Sequence, residues 1–155
     1  MVSTTMIEPI YAENEYSVHQ FLKLFGWIAI FIGLLANVPF ILYIKIKKLS
    51  VRKIGSSDPI TRDMLVVHKP VLNYHIVLNI IAFCIGMIHS LGFINRIDLV
   101  SISLALVIIV LTLSGFLLRF IKFRNVQFFT RVIHTQIIML ILLVVLIIIH
   151  IVLEF

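Results

Sequence analysis

The stretch Val71–Asn95, VLNYHIVLNIIAFCIGMIHSLGFIN, decides how the rest of the chain is read. It carries no acidic or basic charge and is long enough to cross a bilayer as a helix, which takes about 20 residues. Yet it holds two histidines, His75 and His89, fourteen residues apart. On a helix that separation is about 21 Å of rise, and fourteen steps of about 100° return to within about 40° of the starting face. Both imidazoles therefore point the same way, one towards each end of the apolar run. Ionisable side chains in a bilayer are costly and by default mark a functional site.

Working outward, three more uncharged runs of spanning length appear: Leu24–Ile44, Leu99–Leu118 and Val132–Leu153. Hydrophobic residues make up 61% of the 155. Soluble domains hold about 45–50%, so this composition, with a mean hydropathy of +1.16, excludes an ordinary soluble domain. The expected fold is all-α, an integral membrane four-helix bundle forming a single domain. Its spans are expected at about 21–44, 70–95, 99–120 and 128–153, after an external tail over 1–20 that is acidic and lacks periodicity. The N-terminus lacks the pattern of a cleavable signal, which predicts a first helix retained as an anchor.

Charge placement orients the chain. Seven Lys/Arg lie between Lys45 and Lys69 against Asp58 and Asp63, and Arg119, Lys122, Arg124 and Arg131 lie between the third and fourth runs. Excess Lys/Arg marks cytoplasmic loops, so the basic loop 45–69 and the 119–131 connection are expected inside, with both termini outside. The net charge of +6 thus reflects topology, and no nucleic-acid partner is implied. Gly55–Pro59 is a turn signal. Pro70 is expected as an early residue of the second helix, and Asn37 with Pro39 is expected to bend the first. The basic stretch itself reads as an inner continuation of the first helix or as a segment against anionic headgroups. Cys84 is the single cysteine, which excludes an intrachain disulfide, a Cys-x-x-Cys-His haem attachment and Cys-type zinc or iron–sulfur sites within this chain.

The fourth run adds His134 near its inner end and His150 near its outer end. The second and fourth spans run in the same direction, which gives two levels, an inner pair His75/His134 and an outer pair His89/His150. Two imidazoles, one from each of two helices, are what a b-type haem takes as axial ligands. His134 and His150 are sixteen residues apart, and an ideal helix would set them about 160° apart; a π-bulge or kink would have to recover that rotation.

The His75–His89 pair, with thirteen residues between, resembles the haem-carrying helices of di-haem membrane b-type cytochromes, including respiratory and ferric-reductase-like proteins. The resemblance covers the second span well and the fourth in part. It implies one or two haem b groups with iron held by His75, His134, His89 and His150. Electron transfer across or within the bilayer of a multi-pass cell-membrane protein would follow, with a quinone or a redox partner subunit as counterpart, in place of stand-alone catalysis. Asn79, one turn beyond His75, is a candidate for orienting a ring, and Gly86 for admitting a porphyrin. Lys69, His68 and Arg131 are candidates for meeting propionates, although His68 and His19 also read as solvated. Two other readings compete. One is a cofactor-free membrane subunit packed against larger partners in a respiratory or transport complex. The other is proton or metal-ion movement, disfavoured because no Asp or Glu lies within a span.

Overall fold

The computed structural model describes residues 8–96, 98–135 and 137–154. These residues form five α-helices: α1 (Glu8–Lys53), α2 (Pro59–Gly92), α3 (Leu99–Phe120), α4 (Arg124–Thr135) and α5 (Ile137–Glu154). A single 3-10 turn, Ile94–Arg96, lies between α2 and α3, and no strand occurs among the described residues. Three helices are long and apolar enough to cross a membrane, and a fourth span results if α4 and α5, bent by 45°, count as one. The side chains buried among the described residues are Ala36, Ser50, Thr61, His75, Ser114 and Thr130, five of them polar. Large apolar side chains such as Phe31, Leu99, Leu106 and Val152 are exposed. Polar inside and apolar outside is the reverse of a water-soluble domain and suits a hydrocarbon surround.

The chain divides into two compact units, Met1–Gly92 and Phe93–Phe155. The first is an antiparallel hairpin of α1 and α2. Gly55 takes a φ of +98° at its turn, a conformation that glycine adopts without a Cβ clash. Asp58 accepts from the Ile60 amide at 2.9 Å and Pro59 opens α2, the usual division between a capping carboxylate and a proline at the first helical position. The two helices are joined near the turn by Ser50 Oγ and Thr61 Oγ1 at 2.8 Å. Farther along, the Asn37 side chain donates to Asn79 Oδ1 at 2.9 Å.

Several expectations change here. Residues 8–20 are helical and continuous with the first span, whereas 1–7 of the expected tail lie outside the described residues. The stretch 45–69 is helical except for the turn at 54–58, so the reading as an inner continuation of the first helix holds. Pro70 sits inside α2, eleven residues after its start, because the Asp58–Pro59 pair already begins the helix. Pro39, expected with Asn37 to bend the first helix, lies within the continuous α1, and Asn37 donates back to Gly33 O at 2.8 Å.

In the second unit Asp98 caps α3, accepting from the Ser101 amide at 2.7 Å. α4 is amphipathic in the membrane sense. Its Thr130 is buried, with the hydroxyl bonded to Val126 O at 2.6 Å, while Phe128 and Phe129 are exposed. Gln127 donates to Ile121 O at 2.9 Å and closes the connection from α3.

Candidate functional site

Within the first unit, both histidines of α2 turn towards α1. His75 is 9% exposed, its ring stacked on Phe40 at 4.1 Å and 17°. Its Nδ1 lies 3.1 Å from Ala36 O. A carbonyl oxygen only accepts, so this bond assigns the proton to Nδ1. Asn79 Nδ2 also approaches Nδ1 at 3.2 Å but donates to His75 O at 2.8 Å. With Nδ1 protonated, the longer approach is a contact between two donors, not a bond. His89 repeats the arrangement, with Nδ1 at 2.9 Å from Leu22 O. Its ring covers Gly26, where an added Cβ would stand only 3.0–3.3 Å from ring atoms. The absent side chain is thus what makes room for the imidazole.

In the second unit, both later histidines turn towards α3. His134 Nδ1 lies 3.0 Å from Ser114 Oγ, and that hydroxyl donates its one proton to Leu111 O at 2.8 Å. The oxygen is left to accept, so Nδ1 of His134 also carries the hydrogen. Gly115 passes close to the same ring, its Cβ position 3.2 Å from Cε1. His150 Nδ1 lies 3.1 Å from Ser101 Oγ. Hydrogen bonding from Ser101, whose amide donates to the Asp98 carboxylate at 2.7 Å, holds that carboxyl below the usual carboxylate range.

A neutral imidazole protonated at Nδ1 keeps its lone pair on Nε2. In this form it can accept a hydrogen bond or ligate a metal, and ligating histidines ordinarily fix their other nitrogen in this way. Acyl-transfer chemistry does not suit the Asp98–Ser101–His150 order. In a hydrolase the carboxylate orients the histidine, which takes the serine proton, whereas here the carboxylate lies beside the serine and accepts its amide at 2.7 Å. Among the described residues, no group of three or more His, Cys, Asp or Glu is placed to hold a metal ion by itself. A haem iron makes a smaller demand, since the macrocycle fills four positions and the protein two.

The neighbouring candidates fall differently. Asn79 does belong to the His75 surroundings, through a network running Gly33 O, Asn37, Asn79, His75 O. Gly86 faces Ala29 of α1 at 3.8 Å, an ordinary helix-packing contact. His68 stacks on Tyr43 at 5.8 Å, and the Nδ1 atoms of His68 and His19 are shielded from solvent instead of hydrated. Lys69 and Arg131 are exposed. The carbonyls of Leu22 and Ala36 and the hydroxyls of Ser101 and Ser114 were not singled out by sequence reasoning. Their one available signal was spacing: Leu22 and Ala36 are fourteen apart, as are His75 and His89.

Comparison with known proteins gives no matching family, curated relative or solved structure.

Proposed function

We propose that this chain is a membrane b-type cytochrome carrying electrons across or within the bilayer through one or two bis-histidine haems. The inner pair is His75 and His134, the outer pair His89 and His150, arranged in a four-helix bundle of the cell membrane with basic connections cytoplasmic and both termini outside. The observation that carries the reading is the shared tautomer. Carbonyl or hydroxyl acceptors fix Nδ1–H on His75, His89 and His134, the tautomer that would ligate iron through Nε2.

The residues fit such a group in three respects. The ligands are neutral imidazoles on apolar helices, their rings are held by neighbours within each helix unit, and Gly26 and Gly115 admit those rings closely. Bound there, haem supplies a one-electron iron couple. The chain's own work is to hold the imidazoles in one tautomer, limit their rotation and exclude water from the iron environment with Phe40 and the aliphatic helix faces. The electron counterpart in this reading is a quinone or a redox partner subunit.

A cofactor-free subunit packing against larger partners is the second reading. It is favoured by the fact that each of the four imidazoles already has a hydrogen-bond partner within its own unit. One experiment separates the two. The purified, folded full chain is expected to show reduced b-type absorption and at least one iron per polypeptide, lost in His75→Ala and His134→Ala. A colourless, iron-free, folded protein overturns the cytochrome reading.

A further inference from the structure

The turn end of the α1–α2 hairpin is strongly basic, and its two helices present their cations differently. On α1, Lys45, Lys48 and Arg52 are exposed and fall within about 60° of one another around the axis, at about 100° per residue. Tyr43 and Ser50, which bond to Met64 O and to Thr61 of α2, lie about 140–180° from all three. The three cations therefore occupy the face of α1 turned away from α2. Leu49, 53% exposed, stands among them.

Nothing within the hairpin neutralises this face. No ion pair joins Lys45, Lys48 or Arg52 to an acidic side chain among the described residues, and the Asp58 carboxylate is engaged by the Ile60 amide. Lys48 and Arg52 are four apart on one helix, a spacing at which like charges repel. The Ser50–Thr61 bond ties this segment to α2, so the cations stay together on a fixed helical face.

Depth and direction identify the counter-charge. The uncharged run of α1 ends at Ile44. At about 1.5 Å per residue, Lys45 and Lys48 stand about 1.5 and 6 Å beyond it, within a headgroup layer about 5–8 Å deep on each side of a bilayer. Arg52 stands about 12 Å beyond, but Cα–Cβ bonds tilt towards a helix N-terminus, which on α1 is the bilayer side. All three side chains thus lean back towards the lipid, with Leu49 beside them for the acyl boundary. α2 runs the other way, so its exposed Arg62 and Lys69 lean towards the turn and away from the lipid. We propose that Lys45, Lys48 and Arg52 form a binding strip for the phosphates of anionic phospholipid headgroups, which attract basic residues next to a span. The strip acts with or without haem and goes beyond the electron-transfer reading.

Two variants with the same loss of charge test it, Lys48→Gln/Arg52→Gln on α1 and Arg62→Gln/Lys69→Gln on α2. The full chain is placed in bilayers of phosphatidylcholine with phosphatidylglycerol, and spin-labelled forms of the two lipids report which is immobilised at the protein. The native chain is expected to prefer phosphatidylglycerol. The α1 variant should lose that preference by about fivefold, the effect of one engaged cation, and the α2 variant should keep it. Lys48→Arg/Arg52→Lys, which preserves the charge, should keep it as well. Equal losses from the α1 and α2 variants would show an undirected positive field, and an absent preference in the native chain would show no site; either result overturns the proposal. Displacement of phosphatidylglycerol by inorganic phosphate or an acidic peptide at constant ionic strength also overturns it, because the occupant would then be soluble.

Discussion

The two helix units solve one problem in opposite ways. Each must bring two histidines of one strand of chain onto a single neighbouring helix. In the first unit the acceptors Leu22 and Ala36 are fourteen residues apart and so are His75 and His89, so two continuous antiparallel helices keep register over the whole distance. In the second unit the acceptors Ser101 and Ser114 are thirteen apart while His134 and His150 are sixteen apart. The helices that carry these two histidines, Arg124–His134 and Ile138–Leu153, are bent by 45° to one another. Matched spacing goes with continuous helices, and mismatched spacing with a bend. The chemistry differs accordingly, with main-chain carbonyls serving the continuous pair and serine hydroxyls the bent one.

The comparison can be broken most directly at Gly26. Replacing it with leucine drives a side chain into the His89 ring and should destabilise the first unit by about 1–3 kcal/mol, as overpacking does. At Gly33 on the same helix an added Cβ meets nothing within 4 Å, and Gly33→Leu should leave thermal unfolding in detergent nearly unchanged. Equal effects of the two would show that His89 does not rest on α1. Gly115→Leu asks the same of the second unit. Only one ring atom of His134 lies within 3.4 Å of its Cβ position, so a smaller loss is expected.

A lesser effect comes from the polar staples found in the continuous pair. Thr61→Val removes the partner of Ser50 at a fully buried position and should cost about 1–3 kcal/mol if Ser50 is left unsatisfied. Asn37→Leu removes the bond to Asn79, which on the scale of interhelical bonds in membranes is worth about 0.6–2 kcal/mol. Steric-trap or denaturant unfolding of the two variants ranks them, and the reverse order would place the tighter clamp at the Asn pair.

The smallest effect is a pH dependence confined to the bent unit. Hydrogen bonding from Ser101 holds the Asp98 carboxyl below its usual range. A carboxyl lowered on folding adds stability that is fully present above the unfolded value of about 3.9 and disappears as pH falls through the folded one. The melting temperature of the native chain should therefore exceed that of Asp98→Asn near neutral pH. The gap should close on acidification, and a gap constant through that range would refute the assignment.

Much of this architecture can be read from the letters, and the failures have identifiable causes. Uncharged runs marked the apolar helices, and Gly55 with Asp58–Pro59 marked the hairpin turn. Pro70 misled, because a proline reads locally as a helix start although a cap eleven residues earlier had already nucleated the helix. Residues 8–20 gave no apolar period because their helix is an extension of α1. The candidate site was legible only on its histidine side. Leu22 and Ala36 contribute through backbone oxygens, which no residue letter encodes, and neither glycine nor proline marks the 45° bend between α4 and α5. The parts played by Ser101 and Ser114 depend on where their hydroxyl protons go, which no residue letter shows.

The hairpin near Ser50 and Thr61 has a mechanical consequence. The nine residues from Lys45 to Lys53 are helical and add about 13 Å of rod beyond the apolar run. They are clamped to α2, the helix that carries His75. A push or a tether applied to the basic tip would lever the imidazole level as one stiff piece, where an unstructured loop would have dissipated it.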